Sequence, residues 1–401
     1  MNKKKTFGFM LLAQSLSAFG DNAVYAVIMG TLLALVTGGT LTPEKFGAAS
    51  AIYANCLFLP YVLFAPYLGF FSDRFTKKNI LVTGNLLKAF GCLVGLLGLL
   101  AGMDLLLVSY LLIGIGAAVY SPAKYGIIPE LETEEKLVKA NAAVEMTTIF
   151  SILLGIIGGS LLIDNFKASA SYTVLFFVFL LATLFNLLMD NSNIKNKEEK
   201  LKKSAGEFKL TLNKVIKEKY LMIPVFGTAI FWAVAAFVKL NLQTWGQNIL
   251  KLTTATEISK LALWLSLGII LGSFIAGRVF KTGKIKQSWL FGFLMGAGIL
   301  LLVIFPLNYG LIVAELILIG ALGGLFIIPL NAAIQAKAEQ SNIGKVIAVQ
   351  NFFENGAMLL FTGFFWLLNF AKVTPVSTFV IIGGFLCLIS ALFLRHYLKK
   401  L

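Results

Sequence analysis

Apolar stretches of membrane-spanning length recur along the whole chain, and short polar segments separate them. A transmembrane helix needs about 20 predominantly apolar residues. Six stretches precede a charged segment in the middle of the chain, at roughly 7–36, 46–71, 79–102, 105–122, 140–163 and 170–189. Six more follow it, at roughly 220–241, 258–277, 287–305, 309–330, 346–370 and 375–394. The pattern predicts an all-α polytopic membrane protein with twelve transmembrane helices.

The charged segment divides the chain into two matched halves. Pro122 ends the fourth stretch of the first half, and Pro329 ends its counterpart in the second half. Glu145 and Glu354 then follow at equivalent positions, each in the next stretch. We therefore predict two pseudo-symmetric six-helix bundles, residues 1–190 and 220–401, which a cytoplasmic linker at 191–219 connects.

The linker has two parts of different character. Its first part, NSNIKNKEEKLKK, is too polar to pack and is expected to be solvated. In the second part, Phe208, Leu212 and Val215 recur at helical spacing among lysines, which predicts a short helix lying on the inner leaflet. A frayed connector is the alternative interpretation.

Composition and charge narrow the class of protein. Of the 401 residues, 58% are hydrophobic and only 13% are charged, whereas soluble domains carry about 25% charged residues. The net charge of +15 would suggest a nucleic-acid partner in a soluble chain. Here most of the 34 lysines and arginines lie between apolar stretches, on one side of the predicted membrane. The positive-inside rule therefore explains the charge with no nucleic acid and places both termini in the cytoplasm.

Enzymatic chemistry finds no support in the residue types. Cys56, Cys92 and Cys387 lie inside apolar stretches at spacings that match no metal site, and His396 is the single histidine. We therefore predict no catalytic residue, no metal and no cofactor. A membrane-embedded acyltransferase is disfavoured because an H-x-x-x-x-D motif is absent.

Ionisable residues inside a membrane are costly and usually functional. Six stand out within the apolar stretches, namely Asp21, Lys88, Glu145, Lys239, Glu315 and Glu354. Asp21 and Asn22 are adjacent polar residues in the middle of the predicted helix, which favours a position facing a water-filled cavity and a substrate or gating role. A structural ion pair is the alternative. Lys239 lies near the outer end of its span, where it either forms a gate pair with Asp21 or snorkels to the interface. Lys88 and Glu315 are interpreted as internal neutralising partners.

The loop after the second stretch reads GFFSDRFTKK, from position 69 to position 78. It resembles the signature loop of the major facilitator superfamily, G-x-x-x-D-R/K-x-G-R/K-R/K, with Thr76 in place of a glycine. Gly69 is expected to permit a close helix contact, and Asp73 to cap the N-terminus of a neighbouring helix. The basic residues are expected to lie at anionic lipid, namely Arg74, Lys77 and Lys78. The resemblance implies the major facilitator fold.

Longer stretches resemble the bacterial lysophospholipid transporter family of this superfamily. They are LSAFGDNA (16–23), GAAVYSPAKYGI (116–127), KLVKANAAVE (136–145), ILLGIIGGSLL (152–162), FIIPLNAAIQ (326–335) and VIAVQNFFENGAMLL (346–360). The resemblance implies uptake of lysophospholipids, such as lysophosphatidylethanolamine, from the outer to the inner leaflet of the bacterial inner membrane. It also implies a cytoplasmic-side acyltransferase that restores the diacyl lipid.

The resemblance also implies a set of substrate-binding or gating residues. Carried over by position, they are Asp21, Asn22, Lys124, Glu145, Asn351 and Glu354. Lys239 joins them as a departure, because the family pattern has an arginine there. Lysine keeps the positive charge but not the bidentate geometry on phosphate, which leaves the headgroup preference open. The alternative functions are a proton-coupled exporter of amphipathic drugs, which buried acids suit equally, and a scaffold without transport activity.

Overall fold

The fold is entirely helical in the part of the chain that the structure describes. A computed structural model describes residues 2–40, 43–101, 103–191, 203–251, 255–280, 285–303, 308–339 and 342–398. Within these ranges the chain forms fifteen α-helices and a 3-10 turn at Glu134–Lys136, with no β-strand. The prediction of an all-α protein is confirmed.

The helices follow the predicted apolar stretches. The first half contains α1 (Lys3–Thr37), α2 (Pro43–Leu63), α3 (Ala65–Arg74), α4 (Lys77–Ala101), α5 (Met103–Gly126), α6 (Ile128–Leu131), α7 (Leu137–Asn165) and α8 (Ala168–Leu187). The linker contains α9 (Ser204–Lys217). The second half contains α10 (Lys219–Asn248), α11 (Ala255–Val279), α12 (Ile285–Leu301), α13 (Tyr309–Lys337), α14 (Ile343–Phe370) and α15 (Pro375–Leu398). Among the described residues, eight helices are long and apolar enough to cross a membrane, or nine if a bent pair is one span.

The second predicted stretch is the bent pair and not one straight helix. The segments Asn55–Leu63 and Ala65–Arg74 meet at an angle of 71°. Pro60 lies inside α2, and Pro66 lies in the first turn of α3. Proline lacks the backbone N–H that would continue the helical hydrogen bonds, so it favours a break that begins a new helix. The expectation of a continuous span at 46–71 is therefore corrected.

Packing groups the chain into two compact units. The first unit comprises Met1–Glu132, Phe150–Lys217 and Ala338–Phe352. The second unit comprises Thr133–Ile149, Glu218–Lys337 and Phe353–Leu401. The first part of α7 thus belongs to the second unit, and the first part of α14 to the first unit. The division into bundles at 1–190 and 220–401 stays a prediction, because the units are defined by packing and take segments from both halves.

Glycine permits close helix contact inside each unit. In the first unit, a Cβ added to Gly114 on α5 would lie 2.1 Å from the carbonyl oxygen of Cys56 on α2. In the second unit, a Cβ added to Gly320 on α13 would lie 2.0 Å from the carbonyl oxygen of Leu265 on α11. Any side chain at either position would push the backbones apart, so small residues set the packing of both helix pairs.

The linker helix is present, but its apolar stripe faces protein. Val215 is buried, and the ring of Phe208 lies 5.8 Å from the ring of Phe352, measured between centroids. Leu210 and Ile216, outside the stripe, are the exposed apolar residues. The expectation that the stripe lies on lipid is therefore wrong, since helical periodicity identifies an apolar face but not what covers it. The predicted solvated part of the linker lies almost entirely outside the described residues.

Candidate functional site

An ion pair defines the polar interior of the first unit. Asp21 on α1 accepts a hydrogen bond from Lys88 on α4, with 2.7 Å between Oδ2 and Nζ. The Lys88 side chain is 2% exposed and the Asp21 side chain 13%. The interpretation of Lys88 as an internal neutralising partner is confirmed. The partner of Asp21 among the described residues is this lysine, in agreement with the alternative of a structural ion pair, and the gate pair of Asp21 with Lys239 stays a prediction.

The ammonium group of Lys88 makes further contacts with a hydroxyl and two aromatic rings. Its Nζ donates to Oγ of Ser17 at 2.8 Å, and that hydroxyl donates to Oδ1 of Asn85 at 2.7 Å. The rings of Tyr120 and Phe179 lie with their centroids 5.4 and 5.8 Å from Nζ. Aromatic faces at this range attract a cation. The charge of Lys88 is therefore stabilised by one carboxylate, one hydroxyl and two rings.

Two neighbouring candidates have local contacts. Asn22 is half-buried, and its Nδ2 donates to the carbonyl of Ala18 at 2.9 Å. Lys124 is half-buried near the end of α5, with Nζ 4.3 Å from the centroid of the Tyr125 ring. A substrate role for Asn22 or Lys124 stays a prediction.

The signature loop contacts the beginning of α14 within the first unit. Oδ1 of Asp73 accepts a hydrogen bond from the backbone N–H of Gly344 at 2.8 Å, and Oδ2 accepts one from Lys345 at 3.1 Å. The carboxylate thus caps the N-terminus of α14, where free N–H groups and the helix dipole favour an anion. A Cβ added to Gly69 would lie 2.6 Å from the Cα of Lys345. The expected cap and the expected close contact are both present.

The basic residues of the loop differ from one another in position. Lys77 is 3% exposed, and its Nζ donates to the backbone oxygen and hydroxyl of Ser72 and to Oδ1 of Asp73. The expectation that Lys77 lies at anionic lipid is therefore wrong, because its charge is satisfied inside the protein. Arg74 and Lys78 are half-buried.

The linker helix reinforces the same corner of the first unit. Oε2 of Glu207 on α9 lies 3.6 Å from Nζ of Lys345, and Phe208 contacts Phe352. Farther along α14, Nδ2 of Asn351 donates to Oγ of Ser121 on α5 at 3.0 Å. Asn351 is thus a buried amide with a hydroxyl partner, and its predicted substrate role stays a prediction.

Amides form the polar interior of the second unit. Nδ2 of Asn331 on α13 donates to Oε1 of Glu145 on α7 at 3.3 Å. One helical turn away, Asn141 and Gln335 exchange two hydrogen bonds of 2.7 and 2.9 Å. Asn331 and Gln335 were not predicted as site residues. Their signal was two amides four residues apart in an otherwise apolar span, which places them on one helix face.

The remaining predicted charges also lie on helices of the second unit. Glu354 on α14 is buried and 8% exposed. Lys239 on α10 is exposed, and it forms no ion pair among the residues that the structure describes. The predicted substrate roles of Glu354 and Lys239 stay predictions.

An apolar cleft lies among α10, α11, α12 and α13 of the second unit. The free space inside it is about 20 Å³, and its lining is wholly apolar. The lining includes Phe231, Ala235, Val238, Leu265, Met295 and Gly323. Val238 directly precedes Lys239 on α10, so the cleft and this lysine share a short segment of helix.

Sequence comparison identifies relatives along almost the entire chain. The family model described as Major Facilitator Superfamily matches residues 10–362. The chain is 32% identical over 380 residues to the lysophospholipid transporter LplT of Pectobacterium carotovorum, covering 93% of this chain and 89% of that protein. It is 33% identical over 372 residues to the lysophospholipid transporter LplT of Salmonella typhi, covering 92% and 89% of the two chains.

Solved structures share the fold at low sequence identity. The fucose:proton symporter FucP of E. coli superposes with a TM-score of 0.75 at 14% identity, over 99% of each chain. The human organic anion transporter MFSD10 superposes with a TM-score of 0.78 at 13% identity, over 98% of this chain and all of that one. At such identities the likeness concerns the fold alone.

Proposed function

This chain belongs to the lysophospholipid transporter family of the major facilitator superfamily, and we propose that it carries lysophospholipids from the outer to the inner leaflet of the bacterial inner membrane. The chain is thus a multi-pass membrane transporter and not an enzyme. The observation that carries the proposed substrate is the similarity, over nearly the whole chain, to relatives named as lysophospholipid transporters. Lysophosphatidylethanolamine is the substrate for which the chemistry can be followed group by group.

The substrate needs opposite charges from the protein. Its phosphate and ammonium would lose their hydration in hydrocarbon, at a cost of many kcal/mol without partners. The predicted acids for the ammonium are Asp21, Glu145 and Glu354. Lys239 and Lys124 are the predicted cations for the phosphate. The exposed and unpaired state of Lys239 supports its assignment, because no protein carboxylate among the described residues competes for it.

The acyl chain needs an apolar surface. The cleft of the second unit has a wholly apolar lining, which includes Val238, the residue before Lys239 in the sequence. The cleft therefore supports a substrate with a single tail next to its phosphate.

Direction and location rest on charge distribution and family. The lysines and arginines lie mostly on one side of the twelve predicted spans, which supports cytoplasmic termini. Delivery to the inner leaflet would supply an acyltransferase on the cytoplasmic side, the proposed functional partner that restores the second chain. Alternating access, in which one half moves against the other, is the mechanism expected of such transporters.

The signature loop is the proposed conformational element. It comprises Gly69, Asp73, Arg74, Lys77 and Lys78. The cap that Asp73 places on α14 is a contact between distant parts of the sequence, and a conformational cycle can make and break it. Lys77 donates a hydrogen bond to Oδ1 of the same carboxylate.

Transport of labelled lipid into liposomes tests the proposal. Purified protein is reconstituted, radiolabelled lysophosphatidylethanolamine is added outside, and fatty-acid-free albumin removes whatever remains in the outer leaflet. We expect a protected fraction that grows with time, is absent from empty liposomes and falls with Asp21→Asn. Equal protection with and without protein would exclude this substrate. Efflux of amphipathic cations driven by a proton gradient would favour the exporter, and normal uptake by Asp21→Asn would remove Asp21 from the mechanism.

A further inference from the structure

We propose that Lys88 is a positioning residue, which acts in transport only through the carboxylate of Asp21. The inference rests on the proposed function, because it takes Asp21 as a group that meets the substrate. Lys88 holds Oδ2 of this carboxylate and leaves Oδ1 for the ammonium of the lipid headgroup.

The ion pair is asymmetric in exposure. Lys88 is 2% exposed, whereas Asp21 at 13% reaches the edge of the buried region. Oδ2 of Asp21 is bound by Lys88, and Oδ1 is buried without a hydrogen-bond partner among the described residues. An ionised carboxylate accepts about four hydrogen bonds. Asp21 therefore has an unused acceptor with capacity for a second ammonium, and it is the more exposed member of the pair.

The surroundings of Lys88 prevent it from meeting the substrate itself. Ser17 accepts a hydrogen bond from its ammonium, and the ring centroids of Tyr120 and Phe179 lie 5.4 and 5.8 Å from Nζ. A Cβ added to Gly116 would lie 2.7 Å from Cγ of Lys88, so the stem passes directly over a glycine of α5. The side chain is enclosed along its length and has no path to an external anion.

Electrostatics explains why the pair is retained. A carboxylate in a low-dielectric interior without a counter-charge is expensive, and it relieves the cost by turning away or by binding a proton. An ammonium at 2.7 Å favours the ionised form of Asp21 and fixes its orientation. The charge of Lys88 thereby favours an anion at the position where the ammonium of the lipid headgroup can bind.

A double-mutant cycle tests this assignment. Uptake of lysophosphatidylethanolamine into liposomes is measured for Lys88→Met, Asp21→Asn and the double variant, with kcat and KM separated. We expect each single variant to lose about tenfold, mainly through a higher KM. The double variant should be no worse than Asp21→Asn, because the effect of Lys88 is lost once its target is neutral. Lys88→Arg should recover part of the uptake, and Lys260→Met, at an exposed lysine of α11, should match the wild type.

Thermal unfolding of the wild type, the two single variants and the double variant separates this inference from the proposed function. Lys88→Met should unfold at a lower temperature than the double variant, since only the single variant leaves an unpaired buried acid. Multiplicative losses of uptake, or additive shifts of unfolding temperature, would overturn the positioning role. If the shifts of unfolding temperature are non-additive but the wild-type protein moves no lysolipid, the proposed substrate is overturned, whereas the pairing of Asp21 with Lys88 stands.

Discussion

The first unit stabilises its polar interior with an ion pair, whereas the second unit does so with amides. In the first unit, Asp21 and Lys88 meet at 2.7 Å and neutralise each other. In the second unit, Asn141 and Gln335 exchange two hydrogen bonds, and Glu145 accepts one from Asn331. The two arrangements differ in what happens when one partner is lost, because an amide leaves an unsatisfied dipole and an ion leaves an unsatisfied charge.

The largest expected effect comes from removing one partner in each unit. Lys88→Met should lower the free energy of unfolding by about 3–5 kcal/mol, since it leaves Asp21 buried without a counter-ion. Gln335→Leu should cost about 1–3 kcal/mol, the penalty of leaving Asn141 unpaired. Unfolding in detergent, followed by circular dichroism, measures both. Lys260→Met provides an exposed lysine as control, and equal losses for the two variants would contradict the distinction between the units.

The next effect concerns the unpaired lysine of the second unit. Lys239→Ala should raise the KM for lysophosphatidylethanolamine about tenfold and leave the unfolding temperature unchanged, because Lys239 has no ion pair among the described residues. Lys239→Arg should retain or improve affinity, since guanidinium binds phosphate through two parallel hydrogen bonds. Initial rates in liposomes check both variants. An unfolding defect in Lys239→Ala with an unaltered KM would place the lysine in the fold instead of the transport path.

The sequence predicted the helices better than their contacts. Over the described residues, the twelve apolar stretches largely coincide with helices, because an apolar length is a local property. Both members of the Asp21–Lys88 pair were identified as costly charges within spans, but 67 positions separate them and only the packing of α1 and α4 brings them together. Charge in a span is visible in the sequence, whereas the identity of its partner is not.

The loop and the linker show the same boundary of what sequence can predict. Asp73 was expected to cap a helix, yet the helix that it caps begins about 270 residues later, and nothing local identifies it. Phe208, Leu212 and Val215 correctly predicted a helix with one apolar face. The pattern was the same for a lipid partner and a protein partner, so the environment of that face was predicted wrongly. Asn331 and Gln335 were overlooked because neutral amides carry a weaker signal than charges.

A smaller effect should come from the apolar cleft of the second unit. Ala235→Leu would fill part of the space that the proposed acyl chain occupies, and each displaced methylene is worth about 0.8 kcal/mol, or about fourfold in affinity. We expect the preference for an 18-carbon over a 12-carbon lysolipid to fall by about that factor. Competition uptake with the two lipids measures it. The adjacent Ala236→Leu, outside the cleft lining, is the matched control, and an identical shift in both variants would exclude the cleft as the tail site.

The smallest effect is expected at an exposed ion pair of the first unit, which contrasts with the buried one. Lys214 on α9 lies 3.1 Å from Glu339, and both side chains are largely exposed. Hydrogen bonds from Lys214 and Asn342 lower the pKa of Glu339 below its usual value. A lowered pKa means that the pair stabilises the fold above the ordinary pKa of glutamate and loses this contribution as the pH falls through the lowered value.

Lys214→Ala should therefore change the unfolding temperature little at neutral pH, because solvent screens the pair, and not at all in acid. Unfolding scans of both proteins at neutral and acidic pH, with and without added salt, measure the difference. A loss comparable to that of Lys88→Met would show that burial does not decide the strength of these pairs.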